Sequence, residues 1–231
     1  MKASSFNVKE KFRFLDNETS MIAYLDLSNM FYWQRVLKWN FRVEDIIYQL
    51  FSYPNIKEVK VYYGENNKNE EERRKSKALH KRIQKTGAIL RSKEVKFIKK
   101  TIDEALLFKQ STITLFNNEV NKRIERLINE IKKTGLIYVE EPKCNFDVEL
   151  SLDMIDDSEK ISAVMLFSGD CDFMEPLERL KIKGKQIYIV GVRGMVSKEL
   201  HNLKNKYIDF GKFYYGKKRY QSENPAKSRT A

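Results

Sequence analysis

Cysteine and histidine are nearly absent: the 231-residue chain holds two of each, Cys144, Cys171, His80 and His201. Two cysteines cannot build a disulfide framework, and neither their spacing nor a histidine cluster offers a zinc site. A reducing compartment follows. Long apolar runs are missing as well. The run Ala163–Phe167 falls far short of the roughly 20 residues needed to cross a bilayer. Residues 1–17 have no apolar stretch between a basic start and a small-residue cleavage site, as a secretory signal would. The expectation is a cytoplasmic protein with no membrane partner. Gly-rich phosphate loops are lacking too. Neither Asp26-Leu27-Ser28-Asn29 nor Gly191-Val192-Arg193-Gly194 makes a nucleotide cradle, which disfavours a Rossmann dehydrogenase.

What the chain does have is apolar mass and positive charge. Apolar residues make up 42% of it, enough for a real core. Lys and Arg outnumber Asp and Glu by 44 to 32, a net charge of +12. Such a balance favours polyanionic partners, nucleic acid foremost.

Four short apolar runs, at residues 21–25, 59–63, 163–167 and 186–190, are rich in β-branched or aromatic side chains and end at Asp, Gly or Ser, as buried strands do. Residues 136–139 are a fifth candidate. Between them lie helical patterns. Val43–Phe51 carries Ile46, Ile47, Leu50 and Phe51 at helical spacing, and Asn118–Lys133 sets Val120, Ile124, Leu127, Ile128 and Ile131 on one stripe before Gly135. A helix should follow Asp172, with Pro176 near its start, Leu177 and Leu180 inward, and Gly184 at its end. Residues 70–85 form a dense charge run, expected as a solvated helix. Residues 87–116 give no clear pattern, and 112–116 suit strand or helix equally. Strands alternating with helices imply a mostly parallel sheet covered on both faces.

The acidic residues carry the chemistry. Asp26 ends the first run. Asp170 and Asp172 follow the third, in Ser168-Gly169-Asp170-Cys171-Asp172-Phe173. Ligands of a doubly wound sheet bind outside the carboxyl ends of strands where strand order reverses, so two such ends make one site. Extended geometry would send Asp170 and Asp172 the same way and Cys171 elsewhere. Two unit charges about 4 Å apart repel by on the order of 4 kcal/mol at an effective dielectric near 20, and a divalent cation converts that repulsion into binding. An oxygen-only donor set favours Mg²⁺ or Mn²⁺. The plain alternative is that an Asp after a strand merely caps the next helix.

Three segments carry a resemblance: Ala23-Tyr24-Leu25-Asp26-Leu27-Ser28-Asn29, the stretch from Lys143-Cys144-Asn145-Phe146-Asp147 to Asp153, and Phe167-Ser168-Gly169-Asp170-Cys171-Asp172-Phe173. With Pro176-Leu177, Lys183-Gly184-Lys185 and Ser197-Lys198-Glu199-Leu200, they resemble the NYN family, a branch of the PIN-like nucleases. The resemblance implies an α/β, Rossmannoid three-layer sandwich with a mostly parallel central sheet flanked by helices. It also implies Mg²⁺- or Mn²⁺-dependent hydrolysis of RNA phosphodiesters. Asp26, Asp147, Asp170 and Asp172 would be the metal ligands and catalytic set. Asn29 would steady the phosphate or bound water, and Ser168 would support the site. The family tends to carry an acid at Asp153, but six residues along a helix from Asp147 lie about 120° around the axis. That angle leaves a supporting role and a solvated face both open. Val148, Leu152 and Ile155 would share the core-facing stripe of that helix.

Where the family commonly has Lys-Gly-Val-Asp, this chain has the longer Lys143-Cys144-Asn145-Phe146-Asp147; Lys143 is a candidate RNA contact. The domain is expected to span residues 21–211, after an extension at 1–20, with an insertion at about 65–116. Residues 212–231 form a basic tail, where Lys217, Lys218 and Arg219 adjoin Tyr214, Tyr215 and Tyr220. The tail suits either an RNA-holding arm or a solvated end. Two other functions stay open. One is an RNA-binding or scaffold module without turnover, for which Phe31, Tyr32 and Trp33 could stack on bases. The other is a DNA nuclease with the same chemistry. A homo-oligomer is left open too.

Overall fold

Strands that are apolar along their whole length need cover on both faces, and the four apolar runs find it in one sheet. The computed structural model describes residues 18–39, 41–101, 118–135 and 138–211. They divide into two units, one made of the chain up to residue 93 and from 145 onward, the other of residues 94–144.

The first unit begins with β1 (Met21–Asp26), α1 (Leu27–Leu37), α2 (Val43–Phe51), β2 (Ile56–Glu65), α3 (Glu70–Gln84) and β3 (Ile89–Glu94). The second unit contributes β4 (Lys96–Thr101), α4 (Asn118–Lys133) and β5 (Tyr138–Lys143). The first then resumes with α5 (Asp147–Asp156), β6 (Ala163–Phe167), α6 (Met174–Ile182), β7 (Gln186–Gly191), α7 (Lys198–Leu203) and β8 (Lys206–Asp209). The six-stranded sheet has the order β3-β2-β1-β6-β7-β8. β1 pairs in parallel with both β2 and β6, from Met21 opposite Ala163 to Leu25 opposite Phe167, and β7 joins β6 and β8 in the same sense. Every residue of β1 and β6 is buried, which is why both read as unbroken apolar runs.

Alternate residues of the strands feed two layers. Met21, Ala23, Leu25, Val59, Val61, Met165 and Phe167 pack with Met30 and Trp33 of α1, Ile46, Ile47 and Leu50 of α2, and Ile83 of α3. Trp33 meets Phe210 at a ring separation of 5.4 Å. Trp33 is therefore core rather than a base-stacking platform, Phe31 is partly buried against that core, and Tyr32 is exposed. The other face is covered by α5, α6 and α7, whose inward residues include Leu150, Met154, Leu177, Leu180 and Leu200. The helices expected at 43–51, 118–133, 70–85 and after Asp172 all form, and Gly184 takes the positive φ of +76° that ends α6.

Four expectations change. The fifth strand runs over Tyr138–Lys143 and pairs antiparallel with β4 in a separate two-stranded sheet, so it is no part of the parallel one. β3 and β4 fall in the stretch that showed no pattern; both are charged and half-exposed, so their alternation carries little apolar signal. On α5 the inward stripe is Leu150 and Met154, whereas Val148 and Leu152 are 68% and 57% exposed. Apolar residues lie on both stripes of this helix, so periodicity alone could not set its phase. The local geometry after β6 also differs, as described below. Residues 112–116 and the tail at 212–231 lie outside the described residues.

The second face of the sheet holds a charge that its apolar surroundings would not predict. Lys60 of β2 is buried, and its Nζ meets Asp157 Oδ2 at 2.5 Å, while Tyr24 Oη donates to the same oxygen at 2.8 Å. Asp157 lies in a short turn that continues α5, so this trio fastens the helix to two adjacent strands. Removing one partner of a buried pair leaves the other charge uncompensated, at about 3–5 kcal/mol. Asp157→Ala should therefore lower unfolding stability in urea by about that amount. The double variant Lys60→Met/Asp157→Leu should recover most of it. A single variant as stable as wild type would show that the pair anchors nothing.

Candidate functional site

β1 and β6 run side by side, yet the chain leaves them on opposite sides: β2 follows β1 on one flank and β7 follows β6 on the other. Their carboxyl ends therefore face the crevice where strand order reverses. The acids expected there are at these ends.

Asp26 is the last residue of β1 and the N-cap of α1. Its Oδ1 accepts from the backbone amides of Ser28 (3.0 Å) and Asn29 (3.2 Å). Its Oδ2 accepts from Asn29 Nδ2 (2.8 Å) and Ser168 Oγ (3.2 Å). The carboxyl is only 7% exposed, and burial raises its pKa although all four hydrogen bonds lower it. The capping role and the site role thus coexist in one side chain. A carboxylate has about four lone-pair directions, so Asp26 would take up a cation by yielding one Oδ2 bond. The side-chain amide of Asn29 holds Asp26. Ser168 links the two strand ends, since it donates to Asp26 and its Oγ accepts the Asp170 amide at 3.3 Å.

Beyond β6 the chain does not stay extended. Cys171–Phe173 is a 3-10 turn, capped by Asp170, whose Oδ1 accepts the Asp172 amide at 3.1 Å. The alternation expected for these residues is therefore wrong: a short-range side-chain cap outcompetes the strand. The turn gathers the Asp170 and Asp172 carboxylates and the Cys171 thiol within 4.8 Å of one another, all three at least partly open to solvent.

Asp147 opens α5, where an acid is favoured by the helix dipole, and its amide donates to Asn145 Oδ1 at 2.6 Å. It stands outside the tight group of Asp170, Cys171 and Asp172 but within its field. Burial raises the Asp147 pKa most, the Asn145 side chain opposes that, and the charges of Asp170, Asp26 and Asp172 raise it further. Three elements thus bring four carboxylates into one electrostatic neighbourhood. Among the described residues no Lys or Arg is within ion-pair distance of any of the four. Oxygen donors without a cationic partner suit a hard divalent ion. The Cys171 thiol adds a soft donor to this group, although extended geometry would send it elsewhere.

Asp153 is not among these acids. It accepts from Tyr62 Oη at 2.6 Å and from Arg91 at 3.3 Å, so it is neither a solvated residue nor a direct support of the cluster. Sequence reasoning also missed the loop from Val192 to Ser197, which closes on Gly169. A Cβ at Gly169 would lie 2.0 Å from the Met195 carbonyl oxygen, and the Ser197 amide donates to the Gly169 carbonyl at 3.0 Å. Only a residue without a side chain fits there. Lys143 is an exposed residue of β5 in the second unit, and Lys217, Lys218 and Arg219 lie outside the described residues.

Comparison with known proteins bears on the family and the fold. A family model described as NYN domain matches residues 21–214. Low amplitude and bright protein LabA of Synechococcus elongatus is 26% identical over 186 residues, covering 80% of this chain and 81% of LabA. A crystal structure of a protein of unknown function from Vibrio parahaemolyticus superposes with a TM-score of 0.57 at 17% identity, over 86% of this chain and 97% of that one. That likeness speaks for the fold alone.

A carboxyl whose pKa is raised by folding binds its proton more tightly in the folded state. Its contribution is complete below the ordinary aspartate range and is lost as pH rises through the raised value. In chelator, the thermal midpoint should accordingly fall as pH rises above about 4. Asp147→Asn should remove part of that fall. At neutral pH it should raise the midpoint. An Asn variant that melts with or below wild type across the pH range would contradict the raised Asp147 pKa, which burial and the neighbouring acids impose.

Proposed function

The chain belongs to the NYN domain family, and from that premise we propose that it is a divalent-metal-dependent nuclease that hydrolyses RNA phosphodiester bonds. The observation that carries this reading is the convergence of Asp26, Asp147, Asp170 and Asp172 on the switch point without a balancing cation. Carboxylates gathered in this way repel one another, and a divalent cation held among them would turn that repulsion into binding.

Asp147, Asp170 and Asp172 would supply most of the oxygen ligands, with Asp26 Oδ2 completing the set. Bound Mg²⁺ or Mn²⁺ would polarise the phosphoryl group and make its water a stronger nucleophile at neutral pH. The protein's own part is to fix geometry. Ser168 and Asn29 hold Asp26 in one orientation, the Asp170 cap sets the Asp170–Asp172 spacing, and α5 presents Asp147 from the other flank. Hydrolysis joins a water oxygen to phosphorus and breaks the bond to the 3′-oxygen. The products would carry a 5′-phosphate and a 3′-hydroxyl, in analogy with the family.

The net charge of +12 supports a polyanionic substrate. It equally suits the second reading, a module that binds RNA without cleaving it, and the acid cluster favours turnover over that reading. DNA would undergo the same chemistry. Among the described residues no helix is long and apolar enough to cross a membrane.

Purified protein should degrade single-stranded RNA with Mg²⁺ or Mn²⁺ and not with chelator, and faster than it degrades duplex RNA or DNA. Asp170→Asn should abolish turnover while RNA affinity stays within about twofold, since that affinity rests on distributed Lys and Arg contacts. Full turnover by the Asn variant, free of contaminating nuclease, would end the catalytic assignment.

A further inference from the structure

Beside the acid cluster lies a second feature that the nuclease reading does not use. The loop that closes on Gly169 continues into α7, and together with β8 they line a cavity of about 320 Å³. Its walls are Arg193, Gly194, Val196, Lys198, His201, Asn202 and Tyr207. The cavity belongs to the same end of the sheet as the acids. Gly194 turns the loop at a φ of +82°, Ser197 is tied to the Gly169 carbonyl, and Tyr207 Oη donates to the Gly191 carbonyl at 2.8 Å.

Its chemistry is the opposite of the neighbouring cluster. No carboxylate lines it, and among the described residues neither Arg193 nor Lys198 makes an ion pair. Elsewhere on this surface lysines and arginines are commonly paired, as in Arg179–Glu175, Lys183–Glu159 and Lys93–Glu149. The His201 and Tyr207 rings sit 5.7 Å apart at 47°, adding aromatic surface to a wall that also holds Arg193, Lys198 and Asn202. A volume near the lower end of ordinary ligand pockets, about 300–1,000 Å³, suits one nucleotide and little more.

We propose that this cavity is a nucleotide subsite of the substrate strand. Arg193 and Lys198 take a backbone phosphate, the His201–Tyr207 face takes the base, and Asn202 reaches its polar edge. The strand held there runs on across Gly169 toward Asp170 and Asp172. This inference rests on the nuclease reading for the identity of the strand, but it is tested by binding alone. A charge-reading groove joined to a stacking face is the ordinary way of holding single strands without sequence preference.

The test measures anisotropy of a short labelled oligouridylate bound to full-length Asp170→Asn protein, over a salt series. Adding Arg193→Ala/Lys198→Ala should weaken binding roughly tenfold and flatten the salt slope by about 0.7, the value for one lost phosphate contact on a single strand. His201→Ala should weaken binding without changing the slope. The charge-matched control Lys57→Ala/Lys185→Ala, at the other end of the strands, should shift affinity less than about twofold. Equal losses in both double variants would overturn the subsite, because the cavity would then be one basic patch among others. Uridine monophosphate binding more tightly than the oligonucleotide would overturn it as well, making the cavity a site for a free nucleotide. If wild-type protein fails to cleave any nucleic acid yet shows the predicted binding pattern, the nuclease reading falls and the subsite stands.

Discussion

The buried carboxylate of Asp26 is the constraint around which the rest is arranged. A charge with so little access to water is tolerable only when its oxygens are hydrogen-bonded, and four donors from Ser28, Asn29 and Ser168 provide that. Three of them belong to the first turn of α1, so the same carboxylate that sits at the site also starts the helix. The last comes from the end of β6, which locks the two central strand ends together. The crevice is thereby held open at one width, and Asp170 follows within two residues of the locking serine. The position of the acids is a consequence of how one of them is solvated by the protein.

Asp147 approaches from the other side, and its placement depends on α5. That helix is fastened along its length, beginning with the Lys93–Glu149 ion pair in its first turn. Asp153 is held by Tyr62 and Arg91, and Asp157 just beyond is held by Lys60 and Tyr24. These contacts bind α5 and its continuation to β1, β2 and β3, so the start of the helix is presented to the crevice from a fixed base. The sheet supplies a common floor under the four carboxylates, so that a cation would need little more than the yielding of one Asp26 Oδ2 hydrogen bond.

Much of this was legible in the sequence because burial on both faces leaves a plain mark. The runs at 21–25, 59–63, 163–167 and 186–190 are apolar at most positions, Lys60 being the charged exception, and their carboxyl ends pointed to Asp26 and Asp170 directly. β3 and β8 left weaker marks; they are edge strands, part-exposed, and their charges mask the alternation. The phase of α5 could not be read, because Val148 and Leu152 look like core yet face solvent. The pairing of Lys60 with Asp157 joins residues 97 apart in sequence, and no local pattern announces it. The turn at Cys171 was missed for a different reason. Asp170 caps it with its own side chain, a local choice that strand reasoning did not weigh. The loop from Val192 to Ser197 drew notice only as a failed nucleotide motif, whereas its importance lies in its contact with Gly169.

The central claim is that these four carboxylates form a divalent-cation site. Anomalous scattering from crystals of the protein soaked in Mn²⁺ tests it most directly. The account predicts one or two manganese peaks in the crevice, coordinated by oxygens of Asp147, Asp170 and Asp172, with Asp26 within reach and the peaks lost in Asp170→Asn crystals. Crystals saturated with Mn²⁺ that show no peak there, or show manganese only at surface carboxylates elsewhere, would contradict it.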